Sequence, residues 1–271
     1  MEKQNRYFAS PFFFVMLNFD FRKKTVLITG GSRGIGKACA SLFASSGANV
    51  VITYKSGKER AEETVQILAS AGRHAFFKLD MGDAAAIEQV FDEILQQYNR
   101  VDVVVNNAGI FTEHKILETS YGQWQQAWQD TIATNLTGVS NLCYHAARHM
   151  QEAGGGKIIN ISSRGAFRGE PDHPAYGASK AGLNALSQSL ALALAPHNIT
   201  VGVIAPGFVE PDMAKDYLAG SEGEKIKGQS PLNRVAQPEE VARAVAVFAS
   251  EGLEFMTGGI WDINGASYLR S

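Results

Sequence analysis

From residue 25 onward the chain alternates short Val- and Ile-rich runs with longer stretches of helical periodicity. The short runs, expected as strands at 25–29, 49–54, 74–79, 101–105, 156–162, 199–205 and 259–263, are nearly continuous in apolarity. A strand without a polar side must be buried on both faces, and a parallel sheet covered by helices provides that. Helical patterns near 34–47, 57–71, 83–98, 121–152, 176–195 and 238–250 fill the intervals. Alternation of this kind implies right-handed crossovers and a three-layer α/β sandwich around a seven-stranded parallel sheet. No repeat, low-complexity tract or Pro/Ser linker divides the 271 residues, so one domain is expected, over 22–271.

Two segments break the rhythm. Residues 1–21 read as an N-terminal extension: Lys3 and Arg6 precede the six-residue apolar run Phe12–Leu17. That run is too short to span a bilayer, follows Pro11 and lacks a small-x-small cleavage site. It reads instead as an arm packed on a neighbouring surface, or as sequence ahead of a start at Met16. Residues 208–234, with Pro211, Gly220, Gly223, Gly228 and Pro231, form a long excursion after the sixth strand. Ligands bind beyond the carboxyl ends of such strands, so this excursion is expected to be a lid over the substrate. A net charge of −2 supplies no electrostatic footprint for nucleic acid or an anionic membrane. Cys39 and Cys143 lie in apolar helical patterns and read as buried free thiols, hence a reducing, cytoplasmic setting.

The turn Thr29-Gly30-Gly31-Ser32-Arg33-Gly34-Ile35-Gly36 joins the first strand to the first helix. Glycines there allow a tight turn and close approach of backbone to phosphate, and the helix N-terminus offers N–H groups to a dinucleotide pyrophosphate. This makes the sandwich Rossmann-type. The second strand ends Thr53-Tyr54-Lys55, without the carboxylate that would take an NAD ribose 2′-hydroxyl. Lys55 and Arg33 are suited to a 2′-phosphate, so NADP(H) is the expected cofactor. Asp80-Met81 closes the third strand and Asn106-Asn107-Ala108-Gly109 the fourth, where adenine and its ribose should lie.

Tyr176 and Lys180 stand four apart at the start of a helical run and therefore share a face. A phenol of ordinary pKa about 10 is a poor base at neutral pH, and a nearby ammonium lowers it. Ser162-Ser163 closes the preceding strand, where a hydroxyl can donate to a carbonyl oxygen; strand alternation points Ser163, not Ser162, toward the site. Asn135 places an amide on the expected buried face of the 121–152 helix. The loop 164–175, which Arg164 opens, should line the pocket, with its charged residues and His173 either favouring a polar or anionic substrate or bracing one another. No His/Cys/Asp cluster accompanies His173, and no metal site is expected.

From about residue 22 to 271 the chain resembles the short-chain dehydrogenase/reductase family. The resemblance rests on Thr29-Gly30-x-x-x-Gly34-x-Gly36, Asn106-Asn107-Ala108-Gly109, Asn135, Ser163, Tyr176-x-x-x-Lys180 and Pro206-Gly207. Within the family it is most similar to the 3-oxoacyl-carrier-protein-reductase-like group, through 231–242 and Thr257-Gly258-Gly259. The resemblance implies Tyr176 as general acid in reduction and Lys180 as holder of the nicotinamide ribose hydroxyls. It implies Ser163 as the group polarising the carbonyl and Asn135 as the anchor of a proton-relay water. Pro206, Gly207 and Val209 would border the nicotinamide. It also implies a homotetramer or dimer joined through 121–152, 176–195 and the 259–265 tail. There are two departures: Pro211 stands where the family usually has a threonine that contacts the cofactor, and few basic residues flank the site for an acidic carrier protein. The expected activity is NADPH-dependent reduction of a ketone or aldehyde, including 3-oxoacyl thioesters. A dehydrogenase of a sugar, polyol or cyclic alcohol, and a non-catalytic NADP-binding regulator, are the alternatives.

Overall fold

A computed structural model of the protein describes residues 19–69, 72–210 and 220–270. The apolar runs form β1 Thr25–Ile28, β2 Asn49–Tyr54, β3 His74–Lys78, β4 Val103–Asn106, β5 Gly156–Ile161, β6 Ile199–Pro206 and β7 Ile260–Ile263. All pair in parallel in one sheet of order β3-β2-β1-β4-β5-β6-β7. The continuous apolarity has its physical reason here. Val26, Ile28, Val50, Ile52, Val105 and Ile159 enter one core, while Leu27, Val51, Val104 and Ile158 enter the other. Alternate residues thus serve opposite faces, and both faces are covered.

The helices are α1 Gly34–Ser45, α2 Lys58–Gln66, α3 Ala84–Tyr98, α4 Tyr121–Ile132, α5 Gly138–Glu152, α6 Gly165–Arg168, α7 Pro174–Leu194, α8 Gly220–Lys227 and α9 Pro238–Ala249. Phe43 of α1 and Phe248 of α9 fill the first core; Ile87 of α3, Leu142 of α5 and Leu183 of α7 fill the second. Strand order reverses between β1 and β4, and the chain leaves both strands at their carboxyl ends on either side of the same crevice. Register carries the line onward, with Ile28 opposite Val105, Asn106 opposite Asn160 and Ile161 opposite Ile204. The site therefore draws on the ends of β1, β4, β5 and β6.

Three local expectations need correction, and the 208–234 excursion gains detail. The 121–152 pattern is not one α-helix: a π turn, Ala133–Thr137, separates α4 from α5 and carries Asn135. Helical periodicity hides one extra residue in a turn, since the apolar stripe resumes after it. The 57–71 pattern is shorter, ending as an α-helix at Gln66. The loop expected at 164–175 contains α6, and α7 begins at Pro174, a residue suited to the first helical position because its missing N–H has no partner there in any case. The 208–234 excursion contains α8 and returns to the body by the bridge Val209–Ala236. Pro211 and the rest of 211–219 lie outside the described residues, as do 1–18 of the N-terminal extension. Phe21 is already core, its ring 4.7 Å from that of Phe43 in an edge contact and its N–H on the Ser46 carbonyl. Among the described residues no helix is long and apolar enough to cross a membrane.

Candidate active site

The β1–α1 turn is shaped to receive an anion. Gly30 and Gly34 have φ of 64° and 52°, a region costly for residues with a Cβ. Asn107 Nδ2 donates to the carbonyls of Thr29 (2.9 Å) and Gly30 (3.0 Å), and Thr29 Oγ1 accepts the N–H groups of Asn107 and Ala108, each at 3.0 Å. These bonds clamp the ends of β1 and β4 together. A Cβ on Gly36 would be driven into the Gly30 carbonyl oxygen and to 2.6 Å from Asn107 Nδ2, so the first turn of α1 sits directly on that clamp. The start of α1 carries no side-chain cap and no acidic residue, and a Cβ at Gly34 would meet nothing within 4 Å. A helix N-terminus beside a glycine turn, with no cap bond from the Arg33 side chain and no acidic residue in its first turn, fits a pyrophosphate.

At the adenosine end Tyr54 is buried at the tip of β2, and Lys55 Nζ pairs with Asp80 at 2.8 Å. That ammonium holds the Asp80 carboxyl below its usual range, and the Gly82 N–H adds to the effect. Arg33 is exposed and makes no ion pair among the described residues. The carbonyl of Ser32 accepts the Thr64 hydroxyl at 3.4 Å. Met81 is buried, and its carbonyl seats Gly138, where a Cβ would collide with it.

The chemical end is a cleft of about 290 Å³. Ile35, Asn107, Gly109, Ser163, Tyr176, Lys180, Pro206, Gly207 and Val209 all border it. Lys180 is only 4% exposed; its Nζ donates to the Ile161 carbonyl at 2.8 Å and lies 5.6 Å from the Tyr176 ring centre. Burial pushes the ammonium down to about 8 and, opposed by a hydrogen bond with Ser163, pushes the Tyr176 phenol up to about 12. Ser163 Oγ accepts the Gly165 N–H at 3.0 Å, which leaves its proton to donate. Ser162 instead turns into the body and donates to the Lys180 carbonyl at 3.3 Å. Asn135 is fully buried; its Oδ1 accepts the Ile110 N–H (2.8 Å) and its Nδ2 donates to the Ile110 carbonyl (2.9 Å) and Ser179 Oγ (3.3 Å). A Cβ on Gly109 would lie 3.3 Å from Asn135 Oδ1 and 3.6 Å from Lys180 Nζ, so amide and ammonium rest on the same glycine. Ser163, Tyr176 and Lys180 thus meet in one cleft, with Asn135 buried behind its Gly109 wall. Ala108 sits behind it, through its N–H on Thr29.

Several participants were not anticipated from the residues. His114 is buried; its Nδ1 meets the Thr112 carbonyl at 2.8 Å and its Nε2 accepts the Ala175 N–H at 3.1 Å. A neutral ring with its proton on Nδ1 satisfies both, and it anchors the α7 start one residue before Tyr176. Phe111 stacks on His173 at 3.6 Å between ring centres and meets the Tyr176 ring edge-on at 4.7 Å. Nothing in the local sequence around His114 signals this role, since its partner is 61 residues away. Arg164, 3% exposed, lines the cleft, as expected of the loop that it opens.

Comparisons with known proteins agree with this geometry. A family profile described as Enoyl-(acyl carrier protein) reductase matches residues 30–265. The chain is 38% identical to the 3-oxoacyl-(acyl-carrier-protein) reductase of Chlamydia trachomatis over 243 residues, 89% of this chain and 96% of that one. Its identity to the enzyme of the same name from Staphylococcus aureus is 37% over 247 residues, 91% and 98% of the two chains. A short-chain dehydrogenase/reductase from Serratia marcescens superposes with a TM-score of 0.84 at 33% identity, covering 91% of this chain and 98% of that one. One from Mycobacterium ulcerans gives 0.85 at 27% identity, covering 92% and 90%.

Proposed function

The chain belongs to the short-chain dehydrogenase/reductase family, and on that premise we propose that it is an NADPH-dependent reductase of a ketone, 3-oxoacyl thioesters included. The observation that carries this reading is the convergence of Ser163, Tyr176 and Lys180 in one cleft beside the glycine turn that opens α1. Turn 30–36 would hold the pyrophosphate, Lys180 the nicotinamide ribose, and Pro206, Gly207 and Val209 the nicotinamide edge. When bound, the cofactor supplies the hydride. Ser163 donates a hydrogen bond to the substrate carbonyl oxygen, drawing charge onto it. Tyr176, whose burial keeps the phenol protonated, gives its proton to that oxygen, which suits reduction better than oxidation. The Lys180 ammonium stabilises the phenolate left behind, and Asn135 orders a water through which the proton is replaced.

NADPH rather than NADH is supported by the lack of a carboxylate at the β2 end and by the free guanidinium of Arg33. A 2′-phosphate would compete with Asp80 for Lys55. The relatives named as 3-oxoacyl-(acyl-carrier-protein) reductases support the ketone class. A cytoplasmic homotetramer completes the reading; Cys39 and Cys143, free and buried, suit a reducing compartment.

The test follows NADPH absorbance with the full chain and an acetoacetyl thioester. Tyr176→Phe should slow oxidation on the order of 10²–10⁴-fold while NADPH still binds. Undiminished turnover in that variant, or faster turnover with NADH than with NADPH, would sink the corresponding half of the reading.

A further inference from the structure

Arg164 follows the catalytic-site serine directly and is almost wholly buried, yet no carboxylate lies within ion-pair distance of its guanidinium among the described residues. Its side chain makes one hydrogen bond, from Nη2 to Gln229 Oε1, and stacks 5.1 Å from the Phe208 ring centre. A guanidinium has five N–H donors, and a buried charge normally has an opposite charge beside it. Glu170, the carboxylate in the same wall, is engaged by Arg168 Nε at 3.6 Å. Arg168 Nη1 also reaches the Gln229 oxygen, at 3.5 Å, so two cations share one neutral acceptor. With Lys180 across the cleft, cations outnumber carboxylates around it. The backbone that carries it is held in place: the Arg164 backbone N–H bonds the Pro206 carbonyl at 2.9 Å, and Tyr268 and Arg270 clamp Phe167 on the next turn.

Arg164 and Phe208 also border a second cavity of about 250 Å³, between the chain after β6 and the chain after β7. Ser267 lines that cavity with Glu240 and Asp262, whose carboxylates are paired with Arg234 and Arg270, and its Oγ is buried without a partner among the described residues. We propose that Arg164 is a specificity residue for an anionic substrate: it takes the carboxylate of an oxo acid whose ketone lies at Ser163 and Tyr176, with Ser267 Oγ as an added donor. This rests on the ketone-reductase reading for the ketone, but the anion subsite stands on Arg164 itself.

Binding of butyrate and of its neutral isostere butyramide to the full chain with NADP⁺ present, followed by calorimetry, tests the subsite without turnover. Butyrate should bind at least roughly tenfold more tightly than butyramide, and Arg164→Gln should erase the difference, weakening butyrate roughly 10- to 100-fold. Gln229→Glu, which hands Arg164 a carboxylate from within the protein and lies outside the catalytic cleft, should weaken butyrate in the same direction. Equal binding of butyrate and butyramide by the unaltered protein overturns the proposal whether or not any variant folds. So does inorganic phosphate binding more tightly than butyrate, which would assign the subsite to a phosphorylated substrate. A second arm compares kcat/KM for acetoacetate and methyl acetoacetate. The acid should be preferred by the same factor, and preference for the ester overturns the proposal while leaving the reductase reading intact. Turnover of neither these nor the acetoacetyl thioester, with Arg164-dependent butyrate binding retained, defeats the reductase reading and upholds the anion subsite.

Discussion

Lys180 illustrates what the chemistry costs the fold. Its ammonium is buried with one carbonyl acceptor and is pushed from 10.5 down to about 8, equivalent to about 3 kcal/mol at neutral pH. Between those two values the unfolded chain binds the proton and the folded chain does not, so this contribution to stability rises with pH through that window and is most unfavourable below about 8. Lys180→Met should therefore be inactive but more resistant to denaturant at pH 7, by on the order of 1–3 kcal/mol, with the gain fading toward pH 10.5. Urea unfolding at two pH values decides it; a variant less stable at both would show that the lost hydrogen bond to Ile161 dominates. The same group sets a pH limit on reduction. Tyr176, at about 12, stays protonated throughout the working range, whereas the Lys180 charge is lost above about 8. The kcat/KM for reduction should be level at neutral pH and fall as pH rises through about 8, and a profile flat to pH 10 would remove Lys180 from the proton step.

At the scale of elements, the site depends on how α1 and the β4 exit are seated on each other. The first turn of α1 has no room for one more carbon at Gly36, where the nearest atoms are backbone of Gly30 and the clamping amide of Asn107. Gly36→Ala should cost roughly 1–3 kcal/mol of stability through overpacking and also weaken NADPH, because the shifted helix start is the proposed pyrophosphate seat. Unchanged thermal unfolding together with unchanged cofactor affinity would show that the turn yields more freely than the geometry implies. The π turn between α4 and α5 has a comparable role. It lets Asn135 reach the Ile110 backbone with both amide atoms while Gly138, one residue past the turn, closes on the Met81 carbonyl. π turns of this length commonly mark functional positions.

For the whole molecule, the surface left by the sandwich points to assembly. Tyr144 on α5 and Leu192 on α7 are 59% and 83% exposed, on the helices expected to form the subunit interfaces. Large apolar side chains so exposed are suited to burial against another copy. The protein should run at four times the chain mass by light scattering at micromolar concentration, and a double change Tyr144→Glu, Leu192→Glu should yield a smaller species. A monomer mass for the unaltered chain would overturn the tetramer.

The residues by themselves determined the alternating plan and the parallel sheet, and they offered the glycine turn and the Tyr176–Lys180 spacing as candidates, because each is encoded locally. Strand apolarity, glycine at strained φ and the four-residue helical spacing are properties of neighbours in the chain. Strand alternation points Ser162 away from Ser163, and in the fold the Ser162 hydroxyl donates to the Lys180 carbonyl. What only tertiary structure decided involves partners distant in sequence or small changes of helical pitch. The Lys55–Asp80 pair, the His114 bond to the α7 start, the π turn around Asn135 and the unpaired charge of Arg164 are of this kind. Pairing of this sort is set by where crossovers deliver strand ends, and a missing counter-charge becomes visible only when every neighbour has been placed.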